Sequence, residues 1–196
     1  MTMRSETSRE RGVVLIYTLI ILLILTIGAV ALVRSMNTSL FSAGNLAFRR
    51  DLVNQGEQGF SNVMTQFETG AFLDPTTTQA DAPALNYSST ILPTNPQGVP
   101  NVLLNDTAFT AVWKAPDIIG ATPDITIRYV VDRLCSQPGP SSSLLCVQSS
   151  AVPPGHETDN NGGLPPPSAT VYRISVRVSG PRSTQVFLQT TFTKPD

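Results

Sequence analysis

Residues 13–33 read VVLIYTLIILLILTIGAVALV, twenty-one positions without a charge, a proline or an asparagine. At 1.5 Å rise per residue a helix of that length spans roughly 30 Å, the thickness of a bilayer's hydrocarbon core. A polar segment ending Arg11-Gly12 precedes it, and Arg34 follows it. A cleavable secretory signal would carry a shorter apolar region and a small-x-small cleavage site. This run instead leads into Arg34-Ser35-Met36 and reads as a retained anchor. Arg4, Arg9 and Arg11 lie before it, and Arg34 is the only base close behind. The positive-inside rule then keeps the N-terminal tail in the cytoplasm and exports the remainder.

Beyond the anchor the pattern turns amphipathic. Met36, Leu40, Ala43 and Ala47, then Val53, Gly56, Phe60, Val63 and Phe67, recur at steps that mostly fit one stripe of a 3.6-residue helix. One helix is expected from about Val13 to about Glu68, with Gly70 as its C-terminal cap. Its second half should lie on a soluble domain. Gly28, Gly44, Gly56 and Gly59 each cost such a helix about 1 kcal/mol relative to Ala. Close packing or a need to stretch would each account for them.

The first proline is Pro75, and all sixteen follow from there. This break divides the chain into a leader (1–12), a membrane-spanning half-helix (13–33), an amphipathic half-helix (34–70) and a β-rich globular domain (71–196). Phe72 to about Leu104 is turn-rich and reads as a long surface connection. Phe109-Thr110-Ala111-Val112-Trp113 alternates as a strand does. So do Ile125 to Val131, Tyr172 to Val178 and Val186 to Phe192, the last two joined by the turn Ser179 to Ser183 into a hairpin. Antiparallel strands with one buried and one wet face are expected, the amphipathic helix covering the buried one. The fold class is therefore α+β.

Two cysteines, Cys135 and Cys146, bracket a turn-rich loop. Their spacing is wrong for a C-x-x-C redox pair, and on the exported side they read as one structural disulfide. A net charge of −1 argues against a dedicated nucleic-acid binder. Arg173, Arg177 and Arg182 then read as a wet strand face rather than a DNA contact. His156 is the only histidine, with neither a G-x-S-x-G motif nor a metal-spaced His/Cys cluster beside it, so no enzyme and no cofactor are expected. Glu157, Asp159 and Asn161 offer oxygen ligands of the kind calcium uses, yet lack the spacing of an EF-hand loop. Asn-Gly runs are primarily turn formers, and the segment from Val152 to Ala169 reads as an exposed loop.

A short basic leader ending in Gly12, a wholly apolar run, a continuing amphipathic helix and an antiparallel sheet together resemble the type IV pilin family. The stretch RGVVLIYTLIILLILTIGAVALVRSMNTSLFSAGNLAF, Arg11 to Phe48, is most similar to PilX-type minor pilins, with Ala43-Gly44-Asn45-Leu46-Ala47-Phe48 its most specific part. The resemblance implies a prepilin peptidase cutting after Gly12 and methylating the new amine of Val13. It implies a subunit held in the inner membrane that joins other minor and major pilins through this helix. An inner-membrane assembly platform and its separate ATPase would drive that transfer, and a tip adhesin is a further candidate partner. Most pilins carry glutamate at the fifth position after the cut; here it is Tyr17. An unpaired carboxylate in an apolar bundle is costly, so its loss suits a subunit with no neighbouring amine to satisfy, one at the filament tip. The expected role is priming or capping of pilus assembly, with adhesion and twitching motility downstream. A tip pseudopilin of type II secretion is the alternative within the class. A membrane-tethered exported binding protein is the alternative outside it, and an exported hydrolase stands far behind.

Overall fold

A computed structural model describes residues 10–149 and 169–195 of the chain. The chain divides into two compact units, Met1–Phe48 and Arg49–Asp196. Helix α1, Glu10–Glu68, supplies the first and opens the second. The second unit then runs β1 (Tyr87–Ser88), α2 (Asn101–Leu104), α3 (Asp106–Val112), β2 (Ile118–Ile119), β3 (Thr126–Arg133), β4 (Gln148–Ser149), β5 (Ala169–Gly180) and β6 (Thr184–Pro195), with short 3-10 turns between.

Three strands form the body of the sheet. β5 lies between β3 and β6 and pairs antiparallel with both, the β5–β6 register running unbroken from Ala169↔Pro195 to Gly180↔Thr184. β2 adds antiparallel at one end of β3, and β4 adds antiparallel to β5. β1 runs parallel to β3 through Tyr87↔Val131, so the sheet is mixed rather than wholly antiparallel.

The C-terminal part of α1 covers one face, as its amphipathic pattern requires. Its buried stripe carries the expected Gly56, Val63 and Phe67, with Leu52 and Gly59 buried where Val53, which is exposed, and Phe60, which is half-buried, were expected. A Cβ on Gly59 would stand 3.0 Å from Val176 Cγ2, and one on Gly56 would stand 2.9 Å from Val178 Cγ2. Close packing is thus the reason for these two, whereas Gly28 and Gly44 meet nothing within 4 Å. At the lower end of α1 the ring of Phe67 packs on Phe72, Tyr172 and Phe192 with centroids 4.9, 5.1 and 4.8 Å away. Full burial of each such side chain contributes about 1.5–3 kcal/mol.

The opposite face, expected to be wet, is also covered. Phe109-Thr110-Ala111-Val112 forms most of α3, not a strand. Asn105 caps that helix by accepting from the Ala108 N–H at 3.0 Å, and Lys114 Nζ donates to the Thr110 carbonyl at its other end. Leu103, Phe109 and Trp113 then pack on Val130 of β3. The segment expected to be a surface connection likewise contributes core: Phe72, Thr78, Asn86, Tyr87 and Leu103 are all buried. Its polar groups are satisfied internally. Asn86 donates to the Tyr129 carbonyl and accepts from the Ala115 N–H, and Asp81 accepts from the Ser89 N–H and hydroxyl.

Arg173 and Arg177 are correspondingly buried on this second face rather than wet. Arg173 forms a bidentate pair with Asp132, which also accepts from the Leu92 N–H at 2.9 Å. Burial pushes the Asp132 carboxyl above its ordinary value, against the hydrogen bonds from Arg173 and Leu92. Arg177 pairs with Asp106 and donates to the Leu103 carbonyl at 2.8 Å.

Candidate functional site

The first candidate surface is α1 within the first unit. Gly12 and Val13 fall near the helix start, where a Cβ on Gly12 would meet nothing within 4 Å. Every large apolar side chain from Val13 to Val33 is exposed, and the most apolar eighteen-residue stretch has a mean hydropathy of 2.9 with none of it buried. Among the described residues, one helix is therefore long and apolar enough to cross a membrane. Its threonines need no external partner: the Thr18 hydroxyl donates to the Leu15 carbonyl at 2.9 Å and Thr26 to Leu23 at 2.8 Å. Tyr17 is 63 % exposed and sits on this surface with no carboxylate beside it in the run. Apolar exposure continues past Arg34 through Met36, Leu40 and Phe41. An all-round apolar helix can be satisfied by lipid or by neighbouring helices.

The second is the loop closed by the Cys135–Cys146 disulfide. It is tied to the domain at Gly139, whose carbonyl accepts from Arg133 and whose N–H donates to the Gln79 carbonyl, and is closed on itself by the Ser136 N–H donating to the Leu145 carbonyl. Its outer side is left exposed. Leu144 is 93 % exposed, and Val147 is exposed beside it. These two residues escaped the sequence reading; the available signal was a pair of large apolar side chains flanking a cysteine in an otherwise Pro/Ser-rich loop.

Arg173 is committed to a buried ion pair with Asp132, Arg177 pairs with the largely exposed Asp106, and Arg182 lies in the turn before β6 with a left-handed backbone (φ 56°). His156, Glu157, Asp159 and Asn161 lie outside the described residues, as does most of the 1–12 leader. Among the described residues no group of three or more His, Cys, Asp or Glu side chains is placed to hold a metal ion.

Comparison with protein-family models, curated proteins and solved structures finds no match to this chain.

Proposed function

We propose that this chain is a minor pilin of a type IV pilus, acting at the filament tip to prime or cap assembly. The observation that carries the reading is the change of character along one helix. From Val13 to Val33 α1 is apolar and exposed on every side; from Leu52 to Phe67 it buries a single stripe against a β-sheet. A subunit that begins in lipid and ends in a helical bundle needs the first property, and one that carries a folded head needs the second. Tyr17, in place of a carboxylate, supports the tip position. In this reading the three arginines of the leader stay cytoplasmic, the disulfide-bearing domain is exported, and the Leu144 loop is a lateral contact to a neighbouring pilin.

The test is mass spectrometry of the N-terminus after expression with and without a prepilin peptidase. A peptidase-dependent chain beginning at N-methylated Val13 is the expected result. An intact leader in the presence of active peptidase would reduce the segment to a plain signal anchor and end the filament reading. Subunit counting in purified fibres tests the tip assignment separately: abundance equal to the major subunit would exclude it.

A further inference from the structure

On the second face of the sheet, Arg173, Ser175 and Arg177 follow one another along β5 at the strand's period of two. The two guanidiniums hold the chain that roofs them. Arg173 donates to the Leu92 carbonyl at 3.2 Å and Arg177 to the Leu103 carbonyl at 2.8 Å. Between those anchor points the chain turns sharply. Asn95 Oδ1 accepts from the N–H groups of Gln97 and Val99, the Asn95 N–H donates to the Val99 carbonyl, and the Gly98 N–H donates to the Asn95 carbonyl. Gly98 has a φ of 83°, in the region that favours glycine. The turn is thus braced from within and pinned at both ends.

Between this roof and the sheet lies a cavity of about 120 Å³, lined by Val99, Leu103, Ser175 and Phe187 among others, with the exposed Gln97 and Gln189 at its mouth. Protein interiors leave few voids of this size, because neighbours relax into them where they can. Here the two arginines and the turn's own hydrogen bonds hold the roof up. A cavity of roughly 150 Å³ accommodates a benzene-sized group, so this one suits a single ring whose far end reaches the mouth. Among the described residues none of the lining is charged, and the flanking guanidiniums are already paired with Asp132 and Asp106. A charged guest would find no counter-charge. Behind the two glutamines, Ser175 is the one polar side chain of the lining among the described residues. It is 2 % exposed, and its hydroxyl has no hydrogen-bond partner among those residues. Turning that hydroxyl about χ1 to meet a guest therefore breaks no bond. A buried hydroxyl without a partner calls for an explanation, and a guest with a single hydroxyl supplies one.

We propose that this cavity is a binding site for a neutral hydroxyphenyl group, its ring between Val99, Leu103 and Phe187 and its hydroxyl on that of Ser175. Each of the two hydroxyls can donate and accept, so either direction of hydrogen bond serves. The apolar walls supply most of the affinity and Ser175 the preference for a hydroxylated ring. The para position of the ring then faces the mouth, so the group can belong to a free phenol or to a tyrosine side chain. This inference stands independently of the pilin reading.

The test uses the full chain in detergent micelles and follows the methyl groups of Val99 and Leu103 and the side-chain amides of Gln97 and Gln189 by NMR. The probes are p-cresol, toluene, N-acetyltyrosinamide and glucose. p-Cresol should shift these signals saturably, with a Kd on the order of 1 mM for so small a guest. Toluene should bind about tenfold more weakly to the parent chain, and Ser175→Ala should bring the two within about twofold. Comparing that ratio between the two chains cancels uptake of either probe by the micelles. Glucose, whose further hydroxyls would go unpaired, should shift nothing. N-acetyltyrosinamide binding as p-cresol does would assign the site to a tyrosine side chain; p-cresol binding alone would assign it to a free phenol. Three results would overturn the proposal: no saturable shift with p-cresol at about 10 mM, glucose binding as well as p-cresol, or an unchanged ratio of p-cresol to toluene affinity in Ser175→Ala.

Discussion

Arg128 of β3 and Arg177 of β5 are direct register partners, two like charges face to face across the sheet, and Asp106 accepts a hydrogen bond from each. Like charges directly opposite one another destabilise a strand pair. Here they are matched by two carboxylates, because Arg128 also makes a bidentate pair with Asp117 at 2.6 and 2.7 Å. The Arg128 guanidinium further lies 4.6 Å from the centre of the Phe109 ring. α3 is thus fastened to the sheet by charge as well as by packing.

Replacing Asp106 with Asn should lower stability by roughly 1 kcal/mol, a figure kept small because the carboxylate is largely exposed and screened. The hydrogen bond from Arg177, chiefly, holds the Asp106 carboxyl below the usual carboxylate range. Its folded value then lies below its unfolded one. The stabilisation is complete above about pH 4 and is lost as the pH falls through the folded value. Denaturant midpoints followed into acid should fall less steeply in Asp106→Asn than in the parent chain. Equal slopes would show that this carboxylate is not coupled to folding.

The Asp132–Arg173 pair is buried, and its single and double variants should differ. Asp132→Ala leaves Arg173 with only the Leu92 carbonyl among its named acceptors and should cost about 3–5 kcal/mol. Replacing both residues by apolar ones of similar volume should recover most of that loss. A double-mutant cycle on the full chain measures the difference; additive losses would deny the coupling.

Alanine substitution of the helical glycines should divide by position. Helix propensity favours Ala over Gly by about 1 kcal/mol wherever space is open. Gly44→Ala in the isolated chain should therefore be neutral to stabilising. Gly59→Ala and Gly56→Ala should destabilise, because their new methyls meet the stiff β-branched side chains of Val176 and Val178. Thermal unfolding of the three variants checks the order, and a stabilised Gly59→Ala would refute the close approach.

Removing the disulfide by Cys135→Ser with Cys146→Ser should cost about 3 kcal/mol, the chain-entropy value for closing a loop of this size. Urea midpoints of the oxidised, reduced and double-Ser chains should place the last two together and below the first.

The sequence made the skeleton of this fold plain. A long charge-free run and 3.6-residue spacing mark α1, and period-two alternation marks β5 and most of β3 and β6, because helix and strand periods are local properties. The second face of the sheet was hidden for the opposite reason. Arg173 and Arg177 look solvent-bound until Asp132 and Asp106 are brought to them from about forty and seventy positions away. Phe109 to Trp113 alternates like a strand, and only the capping residue Asn105 betrayed the helix. The turn-rich stretch after Phe72 reads as surface by composition, yet Asn86 and Asp81 supply the hydrogen bonds that let its backbone be buried. Of the candidate surfaces, the apolar run was legible outright. The exposed Leu144 and the cavity beside Ser175 were not, since exposure and enclosure are properties of the assembled fold.

The stripe of α1 that carries Leu52, Gly59, Val63 and Phe67 is covered by β5, more than one hundred positions later in the chain. Synthesis runs from the N-terminus, so the helix exists long before its cover does. During that interval four turns of apolar surface have no native partner, and the early chain is liable to stick to whatever lies beside it. A segment already seated in lipid by residues 13–33 would wait there at one fixed place, its search for β5 reduced to the folding of a tethered chain onto its own stem.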